Sequence, residues 1–248
     1  MNISQRTIAS LVTEDFRRAT VFKGHGIDFC CGGGTTLEVA CQERGLSVSD
    51  IQIELEVAEE GREGDPIKPD TWDLGVLVDY IESHHHTYVR ESIPMLQEFT
   101  QKVARVHGVA NPEVVSIAEI FEAVAEELQQ HMIKEESILF PFVKEMDNVE
   151  RGEESLTLPM FGTVKNPIRM MEHEHDSAGS AMRRIRKLSN DYTPPEHACN
   201  TYRVVYAKLE EFEDDLHRHI HLENNILFPR ATEMEARLLS VQSADFDE

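Results

Sequence analysis

The chain has 248 residues, with 24 basic against 46 acidic side chains, a formal net charge of −22, and 40% apolar residues. Such a composition supplies a sizeable core for one large domain or two smaller ones, and the acidity argues against gripping a nucleic acid backbone or an anionic membrane by charge. No run approaches the ~20 apolar residues that span a bilayer, and MNISQRTIASLVTEDF lacks the basic-then-apolar layout of an export signal, so a cytoplasmic protein is expected.

Residues 1–60 read as a small helical, cysteine-containing domain. Ile8, Leu11, Val12 and Phe16 fall at helical spacing. GHGIDFCCGGG is a loop; Thr35 or Thr36 then caps a helix from Leu37 to Arg44 that stops at Gly45. Ser49 or Asp50 starts another through Ile53, Leu55 and Val57. Cys30 and Cys31 precede a helix N-terminus, whose dipole and free N–H groups favour thiolate, and the glycines that follow leave the thiols accessible. A redox or metal-transfer role for this pair follows. Adjacent cysteines are strained as a disulfide, and four cysteines in all, with Cys41 and Cys199, make no disulfide scaffold.

Residues 61–72 hold Gly61, Gly64, Pro66 and Pro69 among charges and read as a linker. Residues 73–240 read as an antiparallel four-helix bundle, so the fold class is all-α. Helix A runs from about Asp73 to His107, interrupted by Pro94; helix B from Pro112 or Glu113 to about Asp147; helix C from about Val164 to Ser189; helix D from about Pro195 to Leu239. Pro141 and Pro229 are expected to bend or end helices B and D.

A self-match dominates this region. His131 to Pro141 and His219 to Pro229 both read H-x-x-x-E-x-x-I-L-F-P, six identities in eleven positions at an offset of 88. His84-x-His86 on helix A matches His173-x-His175 on helix C at an offset of 89. The bundle is therefore two copies of a helix pair. Histidine and glutamate four apart share one helix face, and here that face is apolar: Phe121, Val124, Leu128, His131, Glu135, Ile138 and Phe142 on B, and Leu209, Phe212, Leu216, His219, Glu223 and Ile226 on D. Two carboxylates carried into an apolar core need positive charge, and neither Lys nor Arg shares the stripe at that level, which leaves a metal.

On helix C the stripe Ile168, Met171, His175, Ala178, Met182 includes His175 and excludes His173. On helix A periodicity leaves two stripes open, Leu77–Ile81–His84–Tyr88 and His86–Val89–Ile93–Leu96; the repeat pairs His86 with His175 and selects the second. Four His and two Glu from four helices suit a pair of metal ions, with iron favoured over zinc, Glu135 and Glu223 bridging, and an oxo or hydroxo bridge completing the pair. Glu127, one turn before His131, and Glu174, beside His175, read as surface carboxylates, with a supporting place behind the ligands as the alternative. His25, His107 and His197 fall outside the pattern, and His84, His85 and His221 are extra imidazoles beside it.

Through GIDFCCGGG, HHHTYVRESIP, HMIKEESILFP, MEHEHDSAG and HIHLENNILFPR, nearly the whole chain resembles the iron–sulfur cluster repair di-iron proteins, also called RIC proteins (repair of iron centres). The resemblance implies a hemerythrin-like bundle behind a small cysteine domain, with two non-haem iron ions held by His86, His131, Glu135, His175, His219 and Glu223. It implies repair of iron–sulfur proteins damaged by nitric oxide or peroxide in the bacterial cytoplasm, by supplying iron from a labile site, and reaction with nitric oxide. It is compatible with a homodimer. Two other readings share these ligands: a nitric oxide- or oxygen-binding module, although the oxygen-carrying pattern of five His is not present, and an enzyme that reduces nitric oxide at the iron pair.

Overall fold

A computed structural model describes residues 2–59, 68–152, 156, 157 and 159–245. Most of the expected linker, residues 61–67, lies outside the described residues. Among those described the regular elements are helical, with one isolated bridge between Thr7 and Thr36.

The N-terminal part contains α1 (Ile8–Glu14), α2 (Ala19–Gly24), α3 (Leu37–Arg44) and α4 (Val48–Glu59). Thr36 caps α3 by accepting from the Val39 amide at 3.4 Å, and Gly45 ends it at φ +65°. Helix α4 starts earlier than expected. Ser47 Oγ accepts from the Asp50 amide at 3.4 Å, so Ser47 is the cap rather than Ser49 or Asp50.

Helix A comprises α5 (Leu74–Tyr80), a π segment (Ile81–His86) and α6 (Thr87–His107). Helix B comprises α7 (Glu113–Lys134), a π segment (Glu135–Leu139) and α8 (Phe140–Glu150). Helix C is α9 (Lys165–Leu188). Helix D comprises α10 (Asn200–Leu222), a π segment (Glu223–Leu227) and α11 (Phe228–Asp245). Helix α6 packs on α7 and α10, and α9 on the other sides of α7 and α10, which closes an antiparallel four-helix bundle. The amide of α5 residue Gly75 donates to Asp147 Oδ2 at 3.2 Å, and that of Val164, at the head of α9, to Glu235 Oε1 at 2.7 Å, so buried carboxylates from neighbouring helices satisfy the free N–H groups of both ends.

One proline departs outright from the expectation. Pro94 lies inside α6 without interrupting it, held by the buried Val89, Ile93 and Leu96 around it. Pro141 and Pro229 do not end their helices. Each follows a π turn closed by a five-residue hydrogen bond, from Phe140 N–H to Glu135 C=O and from Phe228 N–H to Glu223 C=O. The wider turn accommodates the proline ring and the missing donor, which a regular α-turn would not. Helix D begins at Asn200 rather than near Pro195. The chain first reverses through Asn190, Asp191 and Tyr192, at φ 51°, 57° and 54°, and then makes a single turn from Pro195 to Ala198. Cys199 is extended at ψ 169°, which breaks that turn from the helix.

Two apolar clusters fill the molecule. One joins Phe22, Ile27, Phe29 and Leu37 of the N-terminal part to Val89, Leu128, Met182 and Leu209 of the bundle. The other gathers Leu77, Ile81, Leu139, Phe140, Met171, Leu222 and Phe228 at the opposite end of the bundle. Near the first cluster Arg186 donates through Nε to Glu213 Oε2 at 2.8 Å, with a second bond from Nη2, and the Glu213 side chain is fully buried. Arg186→Met leaves that carboxylate unpaired and should cost about 3 kcal/mol of unfolding free energy. Urea titration of the two proteins measures it, and a loss under about 1 kcal/mol would show that the pair adds little to the fold.

Candidate metal centre

The expected ligands stand at the level between the two apolar clusters, and all six are buried: His86, His131, Glu135, His175, His219 and Glu223. The π segments place three of them. On helix A a five-residue step joins Ile81, on the stripe with Leu77, to His86, on the stripe with Val89. Each stripe open in the sequence therefore holds on its own side of the step only, Leu77 and Ile81 before it and His86 and Val89 after it, and His84 is left exposed while His86 turns inward. On helix B the step follows Glu135. The expected stripe residue Ile138 points outward, 47% exposed, and Leu139 takes its place at 1%.

The side chains form two overlapping groups, His86–Glu135–His219–Glu223 and His131–Glu135–His175–Glu223, each with its potential ligand atoms within 4.8 Å of one another. Glu135 Oε2 lies 3.3 Å from both His86 Nε2 and His131 Nε2. Glu223 Oε1 lies 3.0 Å from His219 Nε2, and its Oε2 lies 3.1 Å from His175 Nε2. The two carboxylates thus belong to both groups and the imidazoles divide between them.

Each imidazole turns Nε2 inward, and three are fixed from behind through Nδ1. His86 Nδ1 donates to Glu136 at 2.6 Å, His131 Nδ1 to Glu174 at 2.8 Å, and His175 Nδ1 to the Asn224 side-chain oxygen at 2.8 Å. Glu174 thus takes the supporting place that the sequence left as its alternative, and Lys134 pins it there. Glu136 and Asn224 were missed, although a signal existed: each directly follows the repeated glutamate. Glu127, in contrast, is exposed, accepting from Ser177 at 3.3 Å.

The donor set fits metal. Both oxygens of Glu135, Glu223 Oε2 and His86 Nε2 are buried without hydrogen-bond partners among the described residues, which is costly for a carboxylate unless a cation neutralises it. Imidazole and carboxylate donors suit a divalent transition metal. In the metal-free chain the imidazoles take that part. Burial pushes His131 down, but the charge of Glu135, 3.3 Å away, outweighs this and raises it to about 9. Burial and the charge of Glu223 push Glu135 up, but His131 and His86 outweigh them and hold it down at about 2.

The sign of the pH dependence follows. His131 is raised in the folded chain, so it stabilises the metal-free fold below its ordinary value of 6.5, and that contribution is lost as pH rises through about 9. Glu135 is lowered, so it stabilises above its ordinary value of 4.5, and that contribution is lost as pH falls through about 2. Metal must displace the His131 proton, so affinity should climb from pH 6 to about 9, with roughly one proton or more released per centre at pH 7. Calorimetric titration in buffers of different ionisation enthalpy reads this directly; heats independent of the buffer would show that His131 is already neutral.

Five further histidines have local partners. His84 stacks on Tyr80, His25 meets Glu54 at 2.7 Å, His107 meets Cys199 at 3.3 Å and His197 meets Asn111 at 3.2 Å. His221 is buried under Phe16 and Phe29, and burial pushes it down to about 4. Its partner Asn225, within the π segment of helix D, also donates to the carbonyls of Phe29 and Cys30 at 3.2 and 3.1 Å. The cysteine loop is thereby latched two residues from Glu223. Gly33 allows the approach, since a Cβ there would meet Phe29 O at 2.6 Å and Ala9 Cβ at 2.9 Å.

The cysteine pair differs from the expectation of accessible thiolates. Cys30 is buried and Cys31 half-buried, and neither is in a disulfide. Asp28 Oδ1 accepts from the amides of both cysteines at 3.0 Å and from Cys30 Sγ at 3.3 Å. The adjacent Cys31 thiol, burial and the Asp28 charge all push the Cys30 thiol well up. The helix dipole loses to this nearby anion, and the packed loop gives no argument for a homodimer. Asp28, Cys30 and Cys31 nevertheless form a third cluster of potential metal ligands.

Comparison with known proteins agrees in outline. Residues 77–231 match the hemerythrin HHE cation binding domain, and residues 4–59 match ScdA_N, a domain of unknown function (DUF542). A probable iron-sulfur cluster repair protein of Haemophilus influenzae is 36% identical over 231 residues, 93% of this chain and 98% of that protein. The iron-sulfur cluster repair protein YtfE of Yersinia pestis is 37% identical over 234 residues, again 93% and 98% of the two chains. Among the described residues no helix is long and apolar enough to cross a membrane. With the HHE match spanning well over half its length and these relatives nearly all of it, the chain belongs to the hemerythrin HHE cation-binding family and, within it, to the family of YtfE-type iron-sulfur cluster repair proteins.

Proposed function

We propose that this protein repairs damaged iron–sulfur clusters in the cytoplasm by supplying iron from a pair of ions held between Glu135 and Glu223. His86 and His219 would complete the ligands of one ion, and His131 and His175 those of the other. The observation that carries this reading is the pair of fully buried carboxylates, each within reach of both groups of imidazoles. Two divalent ions bring four positive charges to two negative ones, so neither ion is fully neutralised by the protein. Such a site binds iron yet can release it, and the released ion is the substrate of the repair.

We assign residues 1–60 to a cysteine-bearing transfer domain, 61–72 to its linker and 73–240 to the iron store, with Cys30 and Cys31 as the transfer thiols. The partners are iron–sulfur proteins whose clusters nitric oxide or peroxide has stripped of iron. The test adds iron-loaded protein to a nitric oxide-damaged [4Fe–4S] dehydratase, with thiol and sulfide supplied. Dehydratase activity should return in step with the iron lost from the bundle. No recovery above that given by the same amount of free ferrous ion would overturn the reading.

A further inference from the structure

We propose that the two cation positions are unequal, and that the one bounded by His86, His219, Glu135 and Glu223 is the weakly held, exchangeable one. This deepens the two-iron reading above and rests on it.

The internal repeat relates the two positions, exchanging His86 with His175, His219 with His131, and Glu135 with Glu223. At the His131–His175 position both imidazoles are fixed from behind, His131 by Glu174 and His175 by Asn224, each at 2.8 Å. At the other position only His86 is fixed, by Glu136 at 2.6 Å. His219 Nδ1 is buried, and no protein group among the described residues accepts its proton.

The same repeat shows which residue differs. An offset of 89 carries His85 onto Glu174, so the partner of His219 belongs at position 85, where the chain has an imidazole instead of a carboxylate. The His85 ring lies parallel to that of His219, at 10° and with 5.6 Å between centroids, so it stacks on its neighbour. Its Nδ1 is drawn to Asp215 at 2.9 Å. An offset of 88 likewise carries Lys134 onto Leu222, so the cation that holds Glu174 in place has no equivalent on this side. Asp215 also lines a cavity of about 490 Å³ between the N-terminal part and the bundle, walled by Phe16, Phe29, Tyr88 and His217.

A fixed acceptor on the far nitrogen holds a ligating imidazole in one orientation and makes it more basic, and its loss typically costs 10–100-fold in metal affinity. His219 lacks that support, so the ion beside it should leave first.

Two measurements test this. Protein given one equivalent of ferrous iron without oxygen and then crystallised should show anomalous scattering at the His131–His175 position. Equal occupancy, or preference for the His86–His219 position, would overturn the proposal. Protein carrying two irons should lose them to a ferrous chelator in two phases. His85→Glu, which installs the missing acceptor, should slow the fast phase about tenfold, and Glu174→Ala should speed the slow phase by a similar factor. Two equal phases in the unaltered protein, or variants that move both phases together, would also overturn it. Those outcomes leave the two-iron reading intact, whereas a chain that takes up no iron overturns both.

Discussion

Glu135→Leu should leave the protein folded and strip it of iron. Glu135 belongs to both groups of four ligands, so one substitution removes a donor from each ion and half of the anionic charge facing the pair. The fall in affinity should exceed the 10–100-fold that follows loss of an orienting partner alone. The fold should not suffer, because leucine suits a site flanked by Leu139 and Phe140. Removing one partner of a buried ion pair is costly where the other must stay charged, but His131 can release its proton, and replacing a whole buried ion pair by apolar groups is often neutral or stabilising by about 1–4 kcal/mol. His86 and His131 would lose the neighbouring carboxylate that raises both imidazoles in the metal-free chain. The variant should therefore melt at or above the temperature of the metal-free parent, and added iron should no longer raise it. Metal analysis and thermal melts followed by circular dichroism measure both effects. Full iron content in the variant would take Glu135 out of the centre.

Much of this centre could be read from the sequence because the repeat states it twice. His131 and Glu135 reappear as His219 and Glu223 inside the same apolar frame, and one helical turn separates each pair whatever the rest of the bundle does. The π turns were beyond reach. A 3.6-residue period assumes a constant register, and three of the four helices change register at the ligands themselves. Hence Ile138 was expected inward where Leu139 is, and helix A offered two incompatible stripes that are joined by one wide turn. The prolines signalled a break and not its form. Contacts distant in sequence stayed hidden as well: Asp147 capping helix A, Glu174 behind His131, and Asp28 folding back over the thiols that the helix dipole alone would have ionised. The repeat could have exposed Glu136 and Asn224, but only to a search one position past the glutamates.

Replacing Cys30 and Cys31 together with alanine should leave the iron content unchanged and slow delivery to the rate at which the bundle alone sheds its metal. The loop should survive the change. Cys30 is a small side chain in an apolar setting, and Asp28 keeps the two backbone amides and Arg183, which reaches its Oδ2 at 3.3 Å. Asn225 still holds the loop through the carbonyls of Phe29 and Cys30, which the substitution does not touch. The raised Cys30 thiol carries its proton at neutral pH, so at rest Cys30 is no competitor for iron. A cation arriving beside Asp28 meets two sulfur donors and can displace the Cys30 proton, so that ligation and proton release proceed together. Without the thiols only one carboxylate remains, too weak a donor to draw an ion from four imidazoles and two carboxylates. The comparison requires iron analysis of the purified variant and the rate of iron transfer to a cluster-depleted dehydratase, each beside the parent protein. Delivery at the parent rate would show that iron leaves by a route that bypasses the loop. Loss of iron from the resting variant would place the cysteines in the store itself and end the division of labour between the two parts of the chain.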